Sequence, residues 1–299
     1  MKQQIEYLLL KLLISVFRIL PYPLALRLGA SLGGGFHRLD RRHRLIALDN
    51  LRAAFKEEKT EAELEAIALG VYQNLGRSAV EVMRLSHQTP AEIMAMTEIE
   101  GLEHYQAAKA ENKGVILLGA HFGNWEWIPT ALGIAGAPMH IIVRPIDNPF
   151  IDRMIHALRE RHGNTVLNKR TDTPEVIRLL RKGEAIGFLL DQNVGREKAI
   201  FVDYFGRPAG TNKALATIAL RTGAPVVPMF VIRQKYGHKI VIEKPMDLPR
   251  SGVLKDDLVE ITRLFTNKIE SYVRQYPEQW LWLHRRWKTR PPEEDGVDG

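Results

Sequence analysis

GVILLGAHFGNWEW, residues 114–127, is the stretch on which the fold turns. Its first seven residues form a nearly continuous apolar run opened by glycine, the pattern of a strand buried on both faces. Beyond Gly123 and Asn124 the spacing becomes helical, from Trp125 to Leu132. A buried strand that passes through a short turn into a helix is half of a parallel crossover unit. The sequence downstream repeats the pattern. It predicts strands at 140–144 (HIIVR), 185–190 (AIGFLL), 226–232 (VVPMFVI) and 239–243 (KIVIE). Helices are predicted at 149–161, 174–182, 212–221 and 255–276, and upstream at 61–85. Only residues 233–238 separate the last two strands, short enough for a hairpin, which would make the sheet mixed at that point. The predicted fold is α/β: an αβα sandwich around a mainly parallel sheet, with an N-terminal hydrophobic helix. Its organisation reads as a membrane-associating helix over 1–22, a single α/β domain over 23–290 and a flexible tail, PPEEDGVDG, over 291–299.

In open α/β sheets ligands bind beyond the carboxyl ends of the strands. The end of the first strand carries His121, that of the next Arg144, and that of the next Asp191 and Gln192. An imidazole, a guanidinium and a carboxylate on one rim make a catalytic site the better reading of residues that are unremarkable singly. His121 and Glu126 form an H-x-x-x-x-E pattern across the turn, with Asn124 as the expected helix N-cap. A carboxylate at Nδ1–H fixes the tautomer and leaves Nε2 free to take a proton. Glu126 is the expected orienter, and an ordinary helix N-terminal carboxylate is the alternative. No serine stands after a strand in a nucleophile-elbow setting. A base without a protein nucleophile suits direct attack by a substrate hydroxyl on an activated acyl group such as a thioester.

The chain contains no cysteine, which removes disulfides, a cysteine nucleophile, iron–sulfur clusters and zinc-thiolate sites. There is no H-E-x-x-H, Walker or dinucleotide-binding motif, so neither metal nor cofactor is expected. Lys and Arg number 42 against 35 Asp and Glu, a net +7, which points to an anionic partner. The basic residues lack the context of a nucleic-acid-binding motif. IEYLLLKLLISVFRIL (5–20) places Gln4, Lys11 and Arg18 seven apart on one helical face, with apolar residues around the rest. Such a helix can lie in a membrane interface with its cations reaching lipid phosphates; a tilted span and a core helix are the alternatives. Arg38, Arg41, Arg42 and Arg44 are either a solvated face or a headgroup contact. Trp280, Trp282 and Trp287 are either an interfacial belt or a packed C-terminal lid.

The chain resembles the bacterial lipid A biosynthesis acyltransferases, the lauroyl and myristoyl transferases of the lysophospholipid-acyltransferase-like superfamily. The resemblance is carried by GAHFGNWEW (119–127), VRPIDNPFIDRMIHALRERHG (143–163), LLDQNVG (189–195), FVDYFGRPAGTNKALATIALRTGAPVVP (201–228) and YPEQWLWLHRRWKTRP (276–291). It implies a glycerolipid-acyltransferase-like fold with His121 and Glu126 as the catalytic pair. It implies acyl transfer from an acyl carrier protein to a hydroxyl of an anionic lipid A precursor, at the cytoplasmic face of the bacterial inner membrane. Arg144, Arg159, Asp191, Gln192 and Thr211 are the candidate substrate-binding residues. Arg159 has a solvated alternative, and Thr211 a helix-capping one. Another glycolipid or lysolipid acceptor, or water in a thioesterase-like hydrolase, would use the same base.

Overall fold

A computed structural model describes residues 1–56, 58–168 and 173–292. Four helices come first: α1 (Lys2–Ile19), α2 (Tyr22–Leu39), α3 (Arg41–Phe55) and α4 (Glu61–Leu85). The α/β part follows as α5 (Pro90–Ala95), β1 (Thr97–Glu100), α6 (Leu102–Ala110), β2 (Val115–Gly119), α7 (Trp127–Ile134), β3 (His140–Val143), α8 (Pro149–Arg159), β4 (Thr165–Asn168), α9 (Thr173–Arg181) and β5 (Ala185–Leu189). It closes with β6 (Ala199–Tyr204), β7 (Arg207–Asn212), α10 (Ala214–Thr222), β8 (Val226–Arg233), β9 (His238–Ile242) and α11 (Leu254–Gln275).

The seven-stranded sheet runs β1-β9-β8-β2-β5-β3-β4. Only β8 and β9 pair antiparallel in it, as the short 233–238 connection predicts. β1, β4 and the separate β6–β7 hairpin were not predicted. β1 and β4 are only four residues long, and β7 carries proline, glycine and charge, so apolar patterning does not mark them, whereas β6, AIFVDY, is an apolar run outside the predicted strands.

The core follows the two-residue period of the strands. Ile116 and Leu118 of β2 and Phe230 of β8 face one layer, with Leu51 of α3, Leu180 of α9 and Phe265 of α11. Val115 and Leu117, with Val227, Met229 and Val231, face the other, against Tyr105 of α6 and Trp127 of α7. The helices thus cover both faces of the sheet. Trp280, Trp282 and Trp287 are buried in the first layer, so the three indoles form a packed C-terminal segment and not an interfacial belt.

α4 starts with a capping box in which the Thr60 and Glu63 side chains satisfy each other's backbone N–H groups. α2 crosses α4 backbone to backbone through Gly29, Gly33 and Gly76. A Cβ at Gly33 would stand 2.1 Å from the Tyr72 carbonyl oxygen. Gly33→Ala is therefore expected to destabilise by about 1–3 kcal/mol despite alanine's better helix propensity. Urea denaturation checks this, and an unchanged midpoint with unchanged slope would contradict the close crossing.

On α1, Tyr7, Leu10, Ile14 and Phe17 turn inward at helical spacing. Ile5, Leu8, Leu9, Leu12, Leu13, Val16 and Ile19 are exposed, and so are Lys11 and Arg18. On α2, Leu24, Leu28, Leu32, Phe36 and Leu39 continue the exposed apolar surface. Among the described residues no helix is long and apolar enough to cross a membrane. Most of the expected tail, 293–299, lies outside the described residues.

Candidate active site

β2 and β5 are hydrogen-bonded parallel neighbours in the register Leu118↔Phe188 and Gly119↔Leu189. Continued two residues past the sheet, that register sets His121 opposite Asp191. The imidazole Nδ1 lies 2.9 Å from Asp191 Oδ1. The other carboxylate oxygen accepts from the Trp280 indole N–H at 2.8 Å. Asp191 is buried at 3% exposure, whereas the His121 side chain keeps 21%. Burial alone would push the Asp191 carboxyl up. The imidazole and the Trp280 hydrogen bond outweigh it and hold the group below its ordinary value. The carboxylate therefore stays charged behind the ring. On the open side, Gln192 Nε2 is 3.4 Å from His121 Nε2, and the Trp125 ring meets the imidazole edge to face.

The expectation that Glu126 orients His121 is corrected by this geometry. Residues 124–126 already wind toward α7, with the Trp127 N–H donating to the Asn124 carbonyl. This winding carries the Glu126 carboxylate toward α8. There Arg159 holds it through both faces of a fork, Nε to Oε2 at 2.9 Å and Nη2 to Oε1 at 2.5 Å. Arg159, read as a substrate ligand or a solvated residue, is instead an ion-pair partner with 15% of its side chain exposed. Asn124 is not the helix cap. It is buried, and its amide donates to Glu81.

His121, Trp125, Glu126, Arg144 and Arg159 share the wall of one cavity of about 190 Å³. The rest of the wall is largely apolar, from Leu117, Ile128, Met139, Ile141, Phe188 and Met229, with Gly119 and Gly187 where strands face the space. Glycine inside a strand commonly marks the close approach of a ligand. Arg144 is exposed at the rim. Thr211 is not in this wall and caps no helix. It is fully buried at the end of β7, where Arg286 Nη2 donates to its hydroxyl at 2.6 Å. The chain's one G-x-S-x-G match, Gly29–Gly33, lies inside α2 and forms no nucleophile elbow. Among the described residues no cluster of His, Cys, Asp or Glu could hold a metal.

Two features of the site escaped the sequence reading. The first is the pairing of the C-terminal segment, foreseen only as a packed lid, with the His121 turn. Phe122 bridges Trp280, the Gly123 N–H donates to the Gln279 carbonyl at 2.8 Å, and the Leu281 N–H donates to the His121 carbonyl at 3.0 Å. The second is a buried hub under the turn. Arg233 donates to both Glu81 oxygens, at 2.5 and 2.8 Å, and to Asn74 and Ser78 at 2.6 and 2.8 Å. His238 Nε2 lies 3.2 Å from Glu81, whose carboxylate also accepts from Asn124 and Tyr22. One signal of the hub was available: a glutamate on the apolar face of the 61–85 helix, in SAVEVM.

Comparison with known proteins agrees with the fold and the motif blocks. A family model described as "Bacterial lipid A biosynthesis acyltransferase" matches residues 2–289. The lipid A biosynthesis lauroyltransferase of Escherichia coli (strain K12) is 32% identical over 277 residues, covering 91% of this chain and 88% of that protein. The palmitoleoyltransferase of the same organism is 27% identical, covering 93% and 89%. Its myristoyltransferase is 29% identical, covering 91% and 82%. The match runs through the turn bearing His121, the Asp191 strand end and the C-terminal segment that closes on them, and the chain is an acyltransferase belonging to the bacterial lipid A biosynthesis acyltransferase family.

Proposed function

We propose that this enzyme transfers a fatty acyl chain from an acyl carrier protein thioester to a hydroxyl of a lipid A precursor, working at the cytoplasmic face of the bacterial inner membrane. The observation that carries the reading is the His121–Asp191 pair at an apolar cavity rimmed by Arg144. His121 Nε2 takes the proton of the acceptor hydroxyl as its oxygen attacks the thioester carbonyl. The new C–O bond forms, the C–S bond breaks, and the imidazolium returns the proton to the departing carrier thiolate. Asp191 holds Nδ1–H and stabilises the imidazolium through the step. The transferred chain occupies the apolar part of the cavity. Arg144 faces the acceptor's phosphates or the developing oxyanion. Glu126 neutralises Arg159 and fixes the cavity wall between α7 and α8.

Two surface features support the location. The exposed apolar faces of α1 and α2, with Lys11 and Arg18 beside them, suit an interfacial position. The net +7 charge suits both an acidic carrier and anionic lipid. The test is a reaction of the purified enzyme with acyl carrier protein thioesters and a lipid A precursor, read by mass spectrometry. An acylated lipid is expected. Thioester loss with no lipid product would sink the reading in favour of a hydrolase.

Chain length should respond to Gly187. A Cβ there would lie 3.4 Å from Met139 Sδ, an ordinary contact, so the position accepts a side chain that then fills the cavity. Gly187→Leu is expected to lower kcat/KM for the longest carrier-bound chain about tenfold or more relative to the shortest. Equal losses at every chain length would place the transferred chain elsewhere.

A further inference from the structure

A second, larger cavity of about 340 Å³ lies beneath the middle of α1, enclosed by α1, α4 and α8. Its wall is predominantly apolar, with Leu10 and Ile14 from α1, Leu75 and Val82 from α4, and Met154 and Ile155 from α8. Its construction is unusual for a helix contact. α1 is anchored near its start, where the Asn148 amide donates to the Gln3 carbonyl at 2.8 Å and to Glu6 at 3.0 Å, and Tyr7 stacks on Phe150. It is anchored again at its end. Arg84 donates to the carbonyls of Phe17 and Leu20, and Phe17 packs with Ala25 and Val80. Between these anchors, Leu10 and Ile14 roof an open space instead of closing on α4. Trp125 and Glu126 line this cavity and the His121 cavity alike, so the two meet at the catalytic turn.

We propose that the groove under α1 binds a hydrocarbon chain of the acceptor lipid while the transferred chain lies in the cavity beside His121. This rests on the functional reading given above. Transfer from a carrier thioester to a lipid brings two apolar chains to one reacting point, and each needs cover from water. Of these two cavities the smaller has His121 in its wall and the larger does not, and the one with His121 must receive the thioester carbonyl. The groove approaches the same point from the other side of Trp125 and Glu126, the two residues of the turn that line both cavities. Its roof is also the helix whose outer face is exposed and apolar, so a chain passing from a lipid surface into the groove stays on one continuous apolar helix.

The two cavities can be filled separately. Ala79 is exposed on α4 and lines the groove. Ala79→Leu is expected to raise KM for the lipid A precursor about tenfold, with kcat and the ranking of lauroyl, myristoyl and palmitoyl carrier thioesters unchanged. With an acceptor analogue of shortened chains, the difference from wild type should disappear. Gly187→Leu should do the reverse, moving the donor ranking and leaving acceptor KM in place. Circular dichroism and thermal unfolding check the fold of each variant. If Ala79→Leu fails to fold, Ser86→Leu, on the exposed end of α4 in the same groove, supplies the measurement. A shifted donor ranking with unmoved acceptor KM would overturn the assignment, as would no change in either. If the wild-type enzyme transfers from no carrier thioester, the functional reading falls and the groove assignment falls with it.

Discussion

Asp191→Asn is expected to lower acyl transfer by about 10²–10⁴-fold while the enzyme stays folded. The carboxylate accepts two hydrogen bonds, one from the His121 ring at 2.9 Å and one from the Trp280 indole at 2.8 Å. An amide has a single oxygen for these two donors. If that oxygen keeps the indole, the amide N–H₂ faces Nδ1 and forces the imidazole proton onto Nε2, where it blocks the base. The nitrogen-15 shifts of the ring report the change: Nδ1–H in wild type, Nε2–H in the variant. Glu126→Gln should leave the tautomer as in wild type, because Glu126 is engaged with Arg159. His121→Ala should fall in the same range as Asp191→Asn. Transfer by Asp191→Asn within threefold of wild type would remove Asp191 from the mechanism.

The second large effect is on stability. Arg233→Met strips from Glu81, which is 1% exposed, the guanidinium that donates to both of its oxygens, and is expected to destabilise by about 3–5 kcal/mol. Burial alone would raise the Glu81 pKa. His238 and Arg233 overcome it and hold the carboxyl well below the usual range. A depressed carboxylate contributes stability at pH above its unfolded value, about 4.3, and loses it as pH falls further. In Arg233→Met the Arg233 share of that contribution is absent at every pH, and only the His238 share remains. The gap between variant and wild type should therefore be widest near neutrality and narrow below about pH 4. Urea denaturation across pH measures it, and a gap that widens in acid would contradict the charged state of Glu81. Glu81→Leu combined with Arg233→Met should recover part of the loss, since no unpaired charge then remains buried.

The strand-to-helix reading of 114–127 and the strand ends bearing His121, Arg144 and Asp191 were legible because apolar runs and their punctuation are local. The partner of His121 was not. It depends on β5 lying beside β2 in the sheet, and strand order is a property of crossovers that no local pattern displays. H-x-x-x-x-E invited the nearer carboxylate, but the start of α7 turns Glu126 toward α8. Thr211 stands just before a helix in the sequence, yet pairing with β6 draws it into the core. The hub gathers residues from 22 to 279 and has no motif at all.

The bridge between the His121 turn and the C-terminal segment has a consequence for how the enzyme comes into being. Trp280 follows Asp191, whose carboxylate it holds, by 89 residues. A contact of that separation forms late, because its loop must close before the contact repays the entropy. During synthesis α1 leaves the ribosome well before the segment around 280. The apolar surface of α1 is therefore exposed well before the imidazole has its carboxylate held in place, and an enzyme that works at a lipid surface, as proposed above, would reach that surface before it is able to react.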